Sequence, residues 1–541
     1  MANSPYKNDS VNRETFSFML DGKSLQVEDV FRFLAAESCE VKLEPEAAGN
    51  VKASNDQVRK WLAEGRPIYG LTRGLGPLKD KVLVSEEQID FQMRILESHA
   101  TGIGQPFCDQ ISRIALLLRA NVASSGSFGI RIDLIQRYLD LLNAGVIPIM
   151  PWEGSLGSGD LQPMAALGLV MAGSPHGVAK YNGDIGSAPD ILARAGVDPL
   201  FTLEIEEALS IISGSTVLAA GAVYSLYRIK HLLYVMEACF ALTMEALRGE
   251  IGALDYRIHE SRDIPGQIIS AHTARTLLKG SEWTTDEGRA RLGEVNPRIQ
   301  DAVSLRSTPH IYGSLRETYS FVSDAMNREI NAASMNPLVF RNIEQPDCFD
   351  VVMGGNYDGS HMAHLLDYLN IVLTDVAGLS ESRSARLISP QASYGLPANL
   401  AGGQPGLNSG MVQVQSLQLS IIGQMRQQAT PASIHSLSGK SMQEDHNSMG
   451  NSSLYDLQLN LDMCEQVLAI ELMLAAQAID LIRDRMHPMK MSPKTEAIHT
   501  LIRSHIEMVM EDRFLREDIE ALIDLVRGQE LAALVENLLE E

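Results

Sequence analysis

An uncharged segment of 20 residues, Ala208 to Tyr227, most strongly limits how this chain can fold. A segment of that length and composition is either a membrane-spanning helix or a helix enclosed by protein. It follows an acidic run, Glu204 to Glu207, and it contains several small and hydroxyl-bearing residues: Ser210, Ser213, Gly214, Ser215, Thr216 and Gly221. Hydroxyl groups need hydrogen-bond partners that lipid does not supply. The sequence therefore predicts a buried helix beside an internal site rather than a membrane span.

The charge balance limits the partners of the protein. The chain of 541 residues carries a net charge of -23 at pH 7, whereas nucleic acids and anionic membranes attract basic surfaces. We therefore expect neither a nucleic acid nor an anionic membrane as a partner. The five cysteines are scattered without a CxxC pair, which is typical of a reducing compartment. The polar N-terminal segment lacks an apolar signal region, so we expect a cytoplasmic protein.

The sequence EGSLGSGDLQPMA, residues 153 to 165, is the motif with the clearest chemical implication. Glycines on both sides of Ser158 permit a tight bend in which the amide nitrogen of Gly159 attacks the carbonyl carbon of Gly157. Loss of water from this ring and from Ser158 leaves an electrophilic 4-methylidene-imidazol-5-one. The alternative interpretation is a glycine–serine turn that precedes a helix, with Asp160 near the helix N-terminus.

The same motif resembles GSxGASGDLxPLA of the aromatic amino-acid ammonia-lyases and aminomutases, the family that includes histidine ammonia-lyase. The present motif has one residue fewer. Further segments resemble signatures of this family and follow in its order, from about residue 55 to residue 475. They are PIYGLTRGLG, ESHATGIG, RANVASSGSFGIR, QDAVSLRSTPH, INAASMNPL, GGNYDGS, GLNSG and MQEDHNSMG.

This resemblance implies a mainly α protein with a bundle of long central helices and a smaller N-terminal part that carries the active-site loops. We expect an N-terminal part at residues 1–200, the bundle at 201–480 and C-terminal helices at 481–541. A homotetramer is implied, with sites built from several subunits. The implied reaction is elimination of an amine from an aromatic α-amino acid. A 2,3-aminomutase, which returns the amine to the β-carbon, remains an alternative.

The resemblance also assigns roles to individual residues. Tyr69 matches the catalytic base on a mobile loop, and His99 matches a residue that faces the aromatic group of the substrate. Arg306 matches the arginine that grips the substrate carboxylate, with Gln300 beside it. The triplet Gly157, Ser158 and Gly159 would form the electrophile that captures the substrate amine.

Several positions depart from the family pattern near the implied site. Ser213 stands where asparagine is usual, and Val303 stands where tyrosine is usual. A Phe-His pair is replaced by Tyr357 and Asp358, and a glutamate is replaced by Gln424. We count Ser213, Tyr357 and Gln424 as candidate substrate-binding residues. Loss of the glutamate argues against histidine as the substrate, because a carboxylate would favour the imidazole ring.

These departures leave a second reading open, in which the protein resembles ergothionase and eliminates trimethylamine from a betaine without an electrophile. Tyr357 or Asp358 would then face a cation, and Arg73 and Lys440 would hold additional negative charge. A catalytically inactive homologue is a third reading.

The sequence HMAHLLD offers a different kind of site. On a helix, its side chains His361, His364 and Asp367 would share one face and could bind a metal ion in a metal-dependent lyase. The competing interpretation, which we favour, is a packing helix whose histidines lie at a subunit contact.

Overall fold

The computed structural model describes residues 16–36, 38–82, 87–294, 298–439 and 442–540. α-Helix dominates this part of the chain. The helices before residue 200 are α1 (Val27–Ala35), α2 (Pro45–Ala63), α3 (Gln88–His99), α4 (Asp109–Ser124), α5 (Ile132–Ala144), α6 (Leu161–Met171) and α7 (Ala188–Arg194). Those from residue 200 to 330 are α8 (Glu207–Ile212), α9 (Thr216–Ala246), α10 (Tyr256–Glu260), α11 (Pro265–Leu277), α12 (Asp286–Arg291), α13 (Val303–Arg306) and α14 (Thr308–Glu329). The remaining helices are α15 (Ser360–Ile388), α16 (Val412–Gln428), α17 (Gly450–Met486), α18 (Pro493–His505), α19 (Arg516–Arg527) and α20 (Glu530–Glu540).

The strands are short and form small separate sheets. They are β1 (Phe16–Leu20), β2 (Cys39–Leu43), β3 (Ile103–Pro106), β4 (Ile147–Pro148), β5 (Pro151–Glu153), β6 (Val178–Tyr181), β7 (Asp184–Ser187), β8 (Leu338–Arg341) and β9 (Phe349–Val352). β1 and β2 pair in parallel, and the other pairs, β3–β5, β4–β6, β6–β7 and β8–β9, are antiparallel.

The uncharged segment of the sequence is a buried helix, as predicted. It forms α8 and the first turns of α9, and the stretch Glu207–Ala246 is long and apolar enough to cross a membrane. However, its most apolar window is completely buried within the fold. Neighbouring helices cover it, chiefly α17, α4, α14, α20 and α15. Its hydroxyl groups bond internally; for example, the Ser225 hydroxyl donates to the Gly221 carbonyl at 2.8 Å.

A bundle of long helices forms the centre of the molecule, which confirms the expected fold class. α9, α15 and α17 pack along one another. At Gly221 an added Cβ would lie 2.3 Å from the Leu454 side chain, so α9 and α17 approach closely only because this residue has no side chain. One hydrophobic cluster includes residues from Leu20 to Leu538. The division at residues 200 and 480 stays a prediction.

Candidate active site

A cavity of about 580 Å³ brings together six of the residues that the sequence analysis singled out. They come from loops and helix ends near the first residues of α9 and α17. The six residues are Tyr69, His99, Ser158, Gly159, Ser213 and Tyr357. Apolar surface makes up most of the wall. A cavity with an apolar wall and a few convergent polar groups is the usual form of a small-molecule site.

Tyr69 lies on a loop between α2 and α3 that folds back over the cavity. The backbone N–H of Gly76 donates to the Tyr69 hydroxyl at 2.9 Å. Burial raises the pKa of the Tyr69 hydroxyl and the nearby Glu444 carboxylate raises it further, while the Gly76 bond lowers it. The Gly76 bond becomes stronger when the oxygen is anionic, so it favours the phenolate.

One face of α3 forms the wall opposite this loop. Phe91, Ile95 and Ser98 are spaced at helical intervals and line the cavity together with His99, at the C-terminus of α3. The His99 Nδ1 atom lies 2.8 Å from the Ile95 carbonyl oxygen. This contact fixes the orientation of the imidazole ring at the cavity wall.

The Gly157–Gly159 bend meets a second segment in an antiparallel bridge between Ser158 and Asp358. The Gly159 N–H donates to the Tyr357 carbonyl at 3.1 Å, and the Gly359 N–H donates to the Gly157 carbonyl at 3.0 Å. The bend is buried, and Ser158 is 6% exposed. These bonds place Tyr357 at the cavity beside Ser158. Burial raises the pKa of the Tyr357 hydroxyl, and the nearby Glu444 and Tyr69 side chains raise it further.

Asp160 fastens this bend to the start of α9. Its carboxylate accepts a bond from the Leu218 N–H at 3.0 Å and one from the Ser155 hydroxyl at 2.9 Å. Burial raises the pKa of Asp160 to about 6, although these two hydrogen bonds lower it. Asp160 directly precedes the first residue of α6 and so lies near the helix N-terminus, as the sequence indicated.

Gly157 tolerates no side chain in this packing. Its φ is +79°, and an added Cβ would lie 2.3 Å from the Ser448 hydroxyl oxygen and 2.5 Å from the Gly450 nitrogen. We expect Gly157→Ala to lower the free energy of unfolding by about 2–5 kcal/mol, from the strained backbone and the overlap together. Urea unfolding checks this. Gly354→Ala, at a position with open space and ordinary φ, is the control and should change stability by less than about 0.5 kcal/mol. Equal stability of the two variants would contradict the prediction.

Arg119 organises the floor of the site from α4. Its Nε donates to the Ser210 carbonyl at 2.7 Å and a terminal nitrogen donates to the Ser334 carbonyl at 2.9 Å. A further bond reaches the Ser213 carbonyl at the end of α8. The Ser213 hydroxyl accepts a bond from the Asn336 N–H at 3.3 Å. Arg119 belongs to the segment RANVASSGSFGIR, whose resemblance to the family was noted above.

Three predicted residues lie away from the cavity. Gln300 and Arg306 bond to each other at α13, and Gln424 lies exposed on α16. None of the three lines the cavity. The backbone of Arg73 pairs with Val82, and its side chain is not part of the cavity wall either. Lys440 lies outside the described residues.

The side chains of the HMAHLLD segment make separate contacts on α15. His361 Nδ1 lies 2.8 Å from a carboxylate oxygen of Glu329. Asp367 accepts bonds from the backbone N–H groups of Ala432 and Ser433 at 3.3 and 3.0 Å. Among the described residues, no three histidine, cysteine or acidic side chains are grouped as metal ligands would be. Asp367 instead holds the loop after α16 against α15.

Sequence reasoning missed several cavity residues. Phe91 and Ile95 precede His99 at helical spacing, which was a usable signal. Glu444 and Asn336 lie within motifs whose resemblance was noted, but no role was given to them. Lys81 also lines the cavity, and no pattern in the sequence pointed to it.

Glu206, immediately before α8, is a fully buried acid. Neither carboxylate oxygen has a hydrogen-bond partner among the described residues, and the backbone has a φ of +77°. Its neighbour Glu207 binds Arg131 through two bonds of 2.7 Å. Burial raises the pKa of Glu206 well above its usual value, and the Glu207 charge adds to the effect.

A raised pKa in the folded state means that folding retains the proton on Glu206. The contribution of this group is therefore most favourable below the pKa of the unfolded chain, about 4.3, and stability falls as pH rises toward the folded-state pKa. We expect Glu206→Gln to be more stable than the unsubstituted protein, with a difference that grows with pH. Urea unfolding between pH 5 and pH 9 tests this. Glu64→Gln, at an exposed position, should show no such trend. A difference that shrinks with pH would contradict the prediction.

Comparison with known proteins agrees with this fold. Residues 25–504 match the aromatic amino acid lyase family, so the chain belongs to that family and is a carbon–nitrogen lyase. The reaction is elimination of ammonia from an amino acid.

Relatives are similar over nearly their whole length. A histidine ammonia-lyase of Caldanaerobacter subterraneus is 36% identical over 511 residues, which are 94% of this chain and 96% of that protein. The structure of a tyrosine aminomutase from Streptomyces globisporus aligns with a TM-score of 0.88 at 27% identity, over 97% of this chain and 99% of that one. The structure of ergothionase from Treponema denticola aligns with a TM-score of 0.87 at 28% identity, over 96% and 99%.

Proposed function

We propose that this protein eliminates ammonia from an aromatic L-amino acid bound in the cavity, with Tyr69 as the base that removes the β-proton. The observation that carries the proposal is the convergence of Tyr69, His99 and Tyr357 on one largely apolar cavity. An aromatic side chain needs such a wall, and the reaction needs a proton acceptor in contact with it.

The aromatic ring of the substrate would lie against α3 and α8. Phe91 and Ile95 on α3 and Leu209 and Ile212 on α8 form the apolar part of the wall. His99 at the end of α3 adds a polar group that suits a phenolic or other polar ring. Ser213 follows α8 and lies on the same side.

Proton removal would be carried out by the Tyr69 oxygen in its phenolate form. The Gly76 N–H, at 2.9 Å, holds this oxygen in place and stabilises the negative charge. Glu444 favours a cation nearby and therefore keeps the substrate nitrogen protonated. A protonated amine leaves as neutral ammonia when the β-proton is removed.

The family implies a methylidene-imidazolone electrophile, and the Gly157–Gly159 residues as placed do not fit its formation. Closure requires the Gly159 nitrogen to contact the Gly157 carbonyl carbon. However, that nitrogen donates to the Tyr357 carbonyl, the Gly157 oxygen accepts from the Gly359 N–H, and Ser158 between them forms a bridge with Asp358. No step of the mechanism above passes through the electrophile.

The substrate carboxylate would be bound by Arg306 of a neighbouring subunit. A homotetramer fits the apolar side chains that α15 and α16 expose, since Tyr368, Ile371, Leu417 and Leu419 are each 42–49% exposed. Gln300 and Gln424 would reach the site in the same way. Co-expression of Tyr69→Phe and Arg306→Ala subunits tests this arrangement, because mixed assemblies contain sites with both native residues. Recovery of activity supports shared sites, and its absence with intact mixed assemblies opposes them.

A second candidate is elimination of a tertiary amine from an aromatic betaine. The specific observation in its favour is the wall formed by Tyr69, Tyr357 and Glu444, which could hold a permanently charged nitrogen by charge and cation–π contact. A quaternary nitrogen would leave as neutral trimethylamine when Tyr69 removes the β-proton and the double bond forms.

One panel of substrates separates these candidates. Purified protein is incubated with tyrosine, phenylalanine, histidine and the corresponding trimethylammonium betaines, and ammonia and trimethylamine are measured. Ammonia and an arylacrylate from tyrosine support the first proposal; trimethylamine moves the assignment to the second. A β-amino acid detected by NMR indicates an aminomutase. No product from any member of the panel opposes both candidates. A cytoplasmic location stays a prediction from composition.

A further inference from the structure

The covalent state of the Gly157–Gly159 triplet is the feature of the cavity with the widest chemical consequence. The sequence allows a ring that would remove two water molecules from the chain. The bridge to the segment that contains Tyr357 gives the same residues a different role.

We propose that the triplet stays an unmodified peptide and that Ser158 keeps its hydroxyl group as part of the cavity wall. Two hydrogen bonds flank Ser158, from Gly159 to Tyr357 at 3.1 Å and from Gly359 to Gly157 at 3.0 Å. Both bonds belong to the bridge between Ser158 and Asp358. Ring closure consumes the Gly159 N–H and the Gly157 carbonyl oxygen, so it would break both bonds.

The packing around the triplet also restricts movement of its backbone. The motif is one residue shorter than GSxGASGDLxPLA, and Gly157 lies directly against the residues at the start of α17. An added Cβ there would overlap the Ser448 hydroxyl and the Gly450 backbone, at 2.3 and 2.5 Å. Ser448 and Gly450 precede and begin α17, which is a central helix of the bundle and cannot shift without repacking the core.

The chemical balance of the excluded reaction defines what is measured. Attack of the Gly159 nitrogen on the Gly157 carbonyl forms one C–N bond and releases the carbonyl oxygen as water. Elimination of the Ser158 hydroxyl releases a second water and creates the exocyclic double bond. Without these steps, the Ser158 oxygen remains and accepts the bond that the Ser448 N–H donates at 3.3 Å.

Ser158 is thereby a binding group rather than an electrophile. It is 6% exposed and lines the cavity between Gly159 and Tyr357. A hydroxyl at this position can hydrogen-bond the polar end of a substrate but cannot form a covalent adduct with an amine. The nitrogen that leaves must therefore depart without covalent activation.

Intact-mass measurement of the purified protein tests the proposal directly. We expect the mass of the unmodified sequence, and tandem mass spectrometry of the peptide that contains residues 153–165 should show an intact Ser158. Loss of one or two water molecules within this peptide would overturn the proposal. Because this readout needs no substrate, it is independent of the proposed elimination, which fails only if the substrate panel gives no product.

Chemical trapping provides the second measurement. Sodium borohydride reduces a conjugated electrophile. Because the unmodified triplet contains none, borohydride should leave the mass and the activity of this protein unchanged. Ser158→Ala should lower kcat/KM by no more than about tenfold, the loss of one hydrogen bond, and its mass should differ from the unsubstituted protein by one oxygen atom. A mass gain on borohydride treatment that Ser158→Ala does not show would overturn the proposal.

Discussion

Tyr69→Phe should lower kcat of the elimination by about a thousandfold and leave the fold intact. The substitution removes only the hydroxyl oxygen that accepts the β-proton in the proposed mechanism, and a positioned base of this kind contributes about 10²–10⁴ in rate. The ring of residue 69 still packs against the hydrophobic core. Measurement of kcat and KM for the best substrate of the panel, with circular dichroism of the purified variant, checks both parts of this prediction.

The pH dependence gives a sharper test of the same role. The pKa of Tyr69 is raised by burial and by Glu444, so the phenolate is the minor form at neutral pH. At pH values below that pKa, the phenolate fraction rises about tenfold for each unit by which the pH increases. We therefore expect kcat/KM to rise with pH through the neutral and alkaline range. Tyr256→Phe, at an exposed tyrosine of α10, is the control and should retain both the rate and this profile. A Tyr69→Phe variant with an unchanged profile would assign the base to another group.

The second large effect is expected in the bundle. Arg383 of α15 and Glu471 of α17 are fully buried and form a two-bond ion pair with distances of 2.6 and 2.7 Å. Arg383 also donates to the Tyr312 hydroxyl at 2.8 Å, and Glu471 accepts from Thr243 at 2.8 Å. Arg383→Met leaves the carboxylate of Glu471 buried without its counter-charge. We expect the free energy of unfolding to fall by about 3–5 kcal/mol.

Two further variants show whether the pair or the packing is responsible. Arg383→Met with Glu471→Met removes both charges at similar volume and should be less destabilised than the single variant. Arg516→Met, which breaks an exposed pair with Glu520, should cost less than about 1 kcal/mol. Denaturant unfolding measures all three. A double variant as unstable as Arg383→Met alone would show that packing, rather than an uncompensated charge, causes the loss.

Much of the cavity was predictable from sequence because its residues lie in ordered motifs. Tyr69, His99, Ser158 and Tyr357 were each singled out by segment resemblance, and the fold brings them to one cavity. The backbone contribution of Gly76 to Tyr69 was not predictable, since an N–H group has no sequence signature. The same is true of the carbonyl groups that Arg119 holds in place.

Other features could not be predicted from the sequence, for different physical reasons. Arg306 lies in a segment that resembles a family motif and Gln424 replaces a family glutamate, but neither residue lines the cavity. In the proposed assembly a neighbouring copy supplies them, and a pattern along one chain does not tell which copy supplies a residue. The sequence does not distinguish the adjacent glutamates Glu206 and Glu207. Only the fold shows that Glu207 binds Arg131, whereas the buried carboxylate of Glu206 has no hydrogen-bond partner in the part of the chain that the structure describes.

The enclosure of α9 has a consequence for how the protein is made in the cell. α17, which covers much of this helix, begins about 200 residues after α9 ends. At about 5–20 residues per second, the ribosome needs roughly 10–40 s to synthesise the intervening chain. During that interval the long apolar helix lacks the cover that α17 provides. Nascent chains of this protein should therefore depend on chaperones that shield apolar segments, and their yield should fall when translation outpaces chaperone supply.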